Sequence, residues 1–368
     1  MFSSRKSGWT ISAAAIALGL GVAACNPQNP VPPSQGGAGT TSSAPAGGAA
    51  LSMSGAGATA PNPLYQRWFQ EYNKKNPSVQ ISYDSVGSGA GVKRFLDQAV
   101  DFGATDSPLK DDERAQLPAE RGPVVQVPTT GLFIVFAYNL DGVDNLKLSR
   151  EAFCGVVDGS IKTWQDPKIT ATNPGVKLPN DAITFVHRSD GSGTTSIFTK
   201  HIAKACPNWK AGSGKAVEWP TGTGAKGNEG VTAVVQQTKG AIGYVEFSYA
   251  QENKLKMATI QNKAGEFITP TPDAASKALV GAKVPKDFAV NVPDPEPKDA
   301  YPIVSLTWML LYGQPKDAAK AKALNEFLKW SAKEGRPFAT ELGYIPLPDD
   351  LVTQVGAALD AVKVAGTK

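Results

Sequence analysis

The residues best suited to chemistry lie in one short run, Arg188-Ser189-Asp190-Gly191-Ser192-Gly193-Thr194. Arg188 carries a planar fork that can meet two oxygens of a tetrahedral anion, and Ser192 and Thr194 add hydroxyl donors. Gly191 and Gly193 allow the backbone to approach a ligand closely. Asp190 stands where it can hold the arginine. The types and spacing describe a seat for an oxyanion.

Such a seat needs elements to aim it. Ile183 to Val186 reads as a strand, and Thr195 onward reads as a helix with Ile197, Phe198 and Ile202 on its apolar face. A strand, a glycine turn and a helix start direct free N–H groups and the positive dipole end to one point. The pattern recurs twice upstream. Leu51-Ser52-Met53-Ser54 runs into a turn ending at Thr59, before an amphipathic helix over Leu64–Tyr72. Val79-Gln80-Ile81-Ser82-Tyr83 alternates as a strand and leads through Gly87-Ser88-Gly89 into a helix at Lys93. Asp101–Thr105 is then a short strand that ends on the carboxylate of Asp106. In α/β proteins ligands sit where strand C-termini meet helix N-termini, so the three turns are expected to converge.

Farther along, Val124–Val127 and Leu132–Tyr138 are apolar runs of buried-strand type, and Tyr301–Tyr312 is another. Ser149 is placed to cap a short helix, and Trp164 is expected to be a packed core residue. Gly222-Thr223-Gly224-Ala225-Lys226-Gly227 matches GxGxxG, but it follows Pro220 and lacks the acidic ribose partner; a surface loop is expected. Helices over 317–331 and from Pro348 toward Val362 should cover a core begun much earlier.

A chain of 368 residues with 41% hydrophobic content can bury two medium cores. Its net charge is +4, and without Arg5 and Lys6 of a removable leader it is +2 (4 − 2), too weak to imply nucleic acid as a partner. Two histidines and three cysteines, with no HExxH or CxxC, leave no expected metal site and no cofactor. Residues 1–24 have the basic start and short apolar core of an export signal, and Val22-Ala23-Ala24-Cys25 resembles the lipobox of bacterial lipoproteins. Lipidation is therefore expected at Cys25, with residues 25–50 a tether too poor in large apolar residues to fold. Cys154 and Cys206 remain as an even pair in an oxidising compartment, and a disulfide between them is expected; two separate thiols are the alternative.

Four segments in order carry a resemblance: Gly55-Ala56-Gly57-Ala58-Thr59, Gly87-Ser88-Gly89-Ala90-Gly91-Val92-Lys93, Asp101–Asp106 and Arg188–Thr194. With Ile161–Trp164, Gly240–Tyr244 and Tyr301–Ile303, they make the chain from about Leu51 to Pro348 similar to the phosphate-binding proteins of bacterial phosphate ABC importers. The resemblance implies a two-lobed α/β periplasmic-binding-protein fold of type II, with mixed sheets flanked by helices and a two-strand hinge. Lobe 1 would take 51–128 and 300–368, and lobe 2 would take 129–299. It implies inorganic phosphate as ligand, contacted by Thr59, the N–H of Ala60, Ser88 and Asp106 from one lobe and by Arg188, Ser192, Gly193 and Thr194 from the other. Asp190 would orient the arginine. Ala60 departs from a frequent phenylalanine, which would alter packing over the site. The membrane subunits of an importer, and a membrane reached through the lipid anchor, are the implied partners of a monomeric protein held outside the cell membrane or in the periplasm.

Asp106 is the residue expected to choose among anions. A carboxylate repels a dianion unless the ligand brings a proton, which hydrogen phosphate has and sulfate at neutral pH lacks. Three alternatives stand beside this reading: a binding protein for another oxyanion, a protein whose site is vestigial, and a secreted hydrolase using Ser192, His187 and Asp190. Against the hydrolase, Asp190-Gly191-Ser192-Gly193 is not GxSxG, and His187 and Arg188 fall on opposite faces of one strand.

Overall fold

The computed structural model describes residues 50–362; the stretch expected to be an export signal and the expected lipidation site Cys25 lie outside the described residues. Twelve strands occur among them. In chain order these are β1 (Leu51–Gly57), β2 (Val79–Ser85), β3 (Phe102–Thr105), β4 (Val124–Tyr138), β5 (Lys147–Leu148) and β6 (Thr184–Arg188). There follow β7 (Thr223–Ala225), β8 (Ala241–Glu246), β9 (Lys256–Met257), β10 (Thr259–Gln261), β11 (Phe267–Ile268) and β12 (Val304–Tyr312). The main sheet runs β2-β1-β3-β12-β4-β8-β6-β7, with β9 also beside β4, and β11-β10-β5 form a small second sheet.

The main sheet has two halves joined through β4. Its first part, Val124–Phe133, pairs with β12, and its second part, Ile134–Tyr138, pairs with β8. The two apolar runs read from the sequence are thus one strand of 15 residues. Pro128 interrupts the run on paper because it has no N–H to give a ladder. The chain accommodates it with an irregularity: Thr307 faces Thr130, Trp308 faces Pro128, and Thr129 is left between them.

Parallel pairing of β1 with β2 and β3 brings the C-terminal ends of these strands to one edge. β6 pairs in parallel with β7 and β8 and does the same in the other half. Each expected strand–turn–helix unit is present, with helices at Asn62–Lys75, Ser88–Leu96 and Gly193–Ala205. The apolar stripe of the first helix buries Tyr65, Trp68, Phe69 and Tyr72, and Phe327 from the helix Ala318–Ser331 packs on Phe69 and Tyr72 at 5.3 Å each. The C-terminal helices therefore cover the first half as expected.

Trp164 is fully buried and donates from its indole to the carbonyl of Gly240 at 3.1 Å. Ser149 caps its helix by accepting from the N–H of Ala152. Cys154 and Cys206 form a disulfide, with Cα atoms 5.5 Å apart. Among the described residues no helix is long and apolar enough to cross a membrane, and no cluster of potential metal ligands occurs.

Candidate functional site

The three turns converge. The N–H of Gly89 in the first half donates to the carbonyl of Gly191 in the second at 2.8 Å, so the halves meet backbone to backbone. At Gly193 a Cβ would lie 2.4 Å from Ser88 Oγ and 2.6 Å from Asp106 Cβ, so no side chain fits where this helix start faces the first half. Thr59, Ser88, Asp106, Arg188, Ser192 and Thr194 are all buried, none more than 3% exposed.

Arg188 ends β6 and is gripped from one side. Its Nε and Nη2 donate to the two carboxylate oxygens of Asp190 at 2.7 and 2.6 Å, and Nη1 reaches Thr194 Oγ1 at 3.3 Å. The N–H of Gly227 donates to Asp190 Oδ1 at 3.0 Å. Burial alone would raise the Asp190 carboxyl, but the bonds and charge of Arg188 outweigh it and hold the group below the usual carboxylate range. Asp190, expected to orient the arginine, thus bonds two of its guanidinium nitrogens.

The hydroxyls share one polarity. Thr59 Oγ1 accepts from the N–H of Asn228 at 3.2 Å and from its Nδ2 at 2.7 Å. Thr194 Oγ1 accepts from Arg188 and, at 3.1 Å, from the same Nδ2. Ser88 Oγ accepts from the N–H of Asp106, and Ser192 Oγ accepts from the N–H of Thr195 as the cap of its helix. A hydroxyl has two lone pairs and one proton. With lone pairs engaged by protein donors, the protons of Thr59, Ser192 and Thr194 are left to point elsewhere, without a hydrogen-bonded acceptor among the described residues, while Ser88 also acts on the Asp106 carboxylate. The N–H groups of Ala60, Gly193 and Thr194 likewise lack backbone acceptors there.

Asp106 is the acceptor in this company of donors. Its Oδ1 accepts from Thr307 Oγ1 at 2.8 Å, whereas the buried Oδ2 has no partner among the described residues. Burial pushes the carboxyl up to about 7, against the opposing pull of the Thr307 bond, the Arg188 charge and Ser88.

Several residues that hold this arrangement were not singled out in the sequence. Asn228 ties Thr59 of the first half to Thr194 of the second, and its Oδ1 accepts from the N–H of Glu246 at 2.9 Å. Tyr249 and Tyr344 donate to the carbonyls of Thr59 and Ala60, both at 2.6 Å, and fix that turn from behind. Gly227 closes the GxGxxG match and Asn228 follows it, so its reading as a surface loop needs correction. Gly222 and Gly224 are exposed, but Thr223–Ala225 pairs with β6, and Gly227 and Asn228 are buried against the site. A glycine followed by asparagine at a helix start was the available signal; nothing local pointed it at Arg188. His187 lies on the other face of β6, its ring stacked on Trp219 with centroids 5.0 Å apart. The hydrolase constellation is not assembled from it.

The arrangement suits a small anion gripped by donors from two halves. Residues 39–334 match the family model of the PBP superfamily domain. By fold and site the protein is a two-lobed binding protein of that superfamily. The chain is 38% identical over 315 residues to the phosphate-binding protein PstS of Pasteurella multocida, covering 84% of this chain and 90% of that one. It is 39% identical over 313 residues to PstS of Xylella fastidiosa, covering 83% and 84%. The chain belongs to the PstS family of phosphate-binding proteins. Among solved structures, a high-affinity periplasmic phosphate-binding protein bound with phosphate superposes with a TM-score of 0.70 at 23% identity, covering 83% of this chain and 93% of that one. A putative phosphate ABC transporter substrate-binding protein from Clostridium perfringens gives 0.59 at 18%, covering 81% and 100%. At these identities the likeness concerns fold.

Proposed function

We propose that this chain binds inorganic phosphate between its two lobes and delivers it to a phosphate ABC importer. The observation that carries the reading is the composition of the site: donors on every side and one buried carboxylate oxygen, Asp106 Oδ2, without a donor of its own. Phosphate would take the hydroxyl protons of Thr59, Ser88, Ser192 and Thr194, the N–H groups of Ala60, Gly193 and Thr194, and the outward edge of Arg188. Its own proton would go to Asp106 Oδ2. Asp190 keeps the guanidinium in plane and offsets part of its charge.

The lobes are assigned as 51–128 with 300–368, and 129–299, supported by the change of partner along β4. The remaining roles belong to the same proposal: export, lipidation at Cys25, a monomer docking on importer membrane subunits, and no catalytic step. A site for another tetrahedral oxyanion is the second reading, and the proton at Asp106 separates the two. Competition titration with phosphate, arsenate and sulfate tests it. Arsenate, which carries protons as phosphate does, competes, and sulfate binds at least about tenfold more weakly than phosphate. Sulfate matching phosphate near neutral pH refutes the assignment.

A further inference from the structure

Glu246 ends β8 and opens the short helix Phe247–Glu252, and its carboxyl is fully buried. Oε2 accepts from the N–H of Ser248 at 2.9 Å and is also bonded to Ser248 Oγ, while Oε1 has no partner among the described residues. From Ser248 Oγ a hydrogen bond of 2.9 Å leads to the hydroxyl of Tyr344, which donates to the carbonyl of Ala60 at 2.6 Å. Ala60 belongs to the turn whose N–H and Thr59 hydroxyl face the anion. The backbone N–H of Glu246 also donates to Asn228, the residue that aims Thr59 and Thr194.

Counting protons along this row fixes the state of the acid. A carbonyl only accepts, so the Tyr344 proton is committed to Ala60. Ser248 is then the donor to Tyr344 and has no proton left for Glu246. The link between Ser248 Oγ and Glu246 Oε2 needs a donor, and a proton on Glu246 supplies it. An ionised Glu246 leaves two hydroxyl protons for three links. It would also be a buried charge with no cation bonded to it among the described residues, which is the costlier arrangement. The proton affinity of the group agrees: burial pushes it up to about 8, against the pull of the Ser248 bonds and with the Asp106 charge adding to the rise. The other titratable groups around it are Tyr344, Tyr249 and Glu252 of its own helix, and Glu229, which accepts from Tyr249. The Arg188–Asp190 pair lies beyond Asn228 and Thr194.

We propose that Glu246 is a positioning residue for phosphate, held as a neutral acid whose proton completes the row of bonds through Ser248 and Tyr344 to the Thr59–Ala60 turn, and that its ionisation opposes phosphate binding. When Glu246 gives its proton to solvent, the Ser248 proton turns from Tyr344 to the carboxylate, one link of the row is lost, and a negative charge appears behind the seat of a dianion. The inference rests on the phosphate reading for its effect on affinity, but the proton on Glu246 stands on the row itself.

The test labels the glutamate carboxyl carbons of the full chain and follows them by NMR against pH, first without phosphate. The expected result is one carboxyl that ionises near 8, absent from Glu246→Gln, which keeps an acceptor for the helix cap and cannot ionise. Tyr344→Phe frees the Ser248 proton for the carboxylate and should bring that midpoint down toward the ordinary glutamate range. The same response identifies the signal if the glutamine variant does not fold. Saturating phosphate should raise the midpoint. Calorimetric affinity for phosphate should fall about five- to tenfold as pH rises through it, with a flat profile over that window in Glu246→Gln. Glutamates that all ionise in the ordinary range, a midpoint unmoved by Tyr344→Phe, or an affinity step that persists in Glu246→Gln overturns the proposal. Absence of phosphate binding overturns the assigned function and with it the coupling, whereas the ligand-free titration judges the proton on Glu246 by itself.

Discussion

Replacing Asp106 by asparagine tests the selectivity argument with almost no change of volume. The orientation of the new amide follows from the structure. Thr307 Oγ1, 2.8 Å from Asp106 Oδ1, is a donor there, so the amide oxygen turns to Thr307 and the NH2 takes the place of Oδ2. The residue that demanded a proton then offers one. Phosphate loses an acceptor for its own hydrogen, while a fully ionised anion loses the unpaired acceptor that opposed it. A buried polar group left unmatched costs about 1–3 kcal/mol, so the phosphate-over-sulfate ratio should fall by about 5- to 150-fold. Calorimetric titration of both anions into both proteins near neutral pH measures that ratio. An unchanged ratio in a folded Asp106→Asn protein would refute the claim that the carboxylate reads the ligand's proton.

The same carboxyl gives a pH signature in the ligand-free protein. Its value near 7 exceeds the ordinary 3.8, so between the two the folded state binds more protons than the unfolded one, and stability falls as pH rises through that window. Asp106→Asn should flatten the trend, by at most about 4 kcal/mol, in denaturant unfolding at a series of pH values. Glu246, pushed up to about 8 by burial, leaves a residual slope of the same sign. Asn228→Ala removes the bonds to Thr59 and Thr194 that aim their hydroxyls and should weaken phosphate by roughly tenfold to a hundredfold in the same calorimetry; unchanged affinity would remove Asn228 from the positioning set. Replacing Cys154 and Cys206 together by serine opens a loop spanning 52 positions and should cost about 4 kcal/mol in unfolding experiments. Ala60 is fully buried, so Ala60→Phe should overpack the turn and destabilise the protein by about 1–3 kcal/mol, read as a lowered denaturation midpoint.

Much of the site is written locally. Hydroxyls and glycines before a helix, an arginine ending a strand and a carboxylate after a short strand are determined by neighbours a few positions away. Hydrophobic periodicity, turn glycines and helix caps act over that range. The strand–turn–helix units around Thr59, Ser88 and Ser192 were therefore legible, as was Trp164 as core. Tertiary structure alone decided which face of each group is occupied. Asn228 bridges Thr59 and Thr194 across 169 and 34 positions, and Thr307 reaches Asp106 across 201, so no local pattern could reveal them. The polarity of the site, with lone pairs spent and protons turned inward around one unmatched oxygen, arises only when distant segments exclude water together. That exclusion is also what raises the Asp106 carboxyl, because the cost of burying a charge depends on everything packed around it and not on the residue's neighbours in the chain.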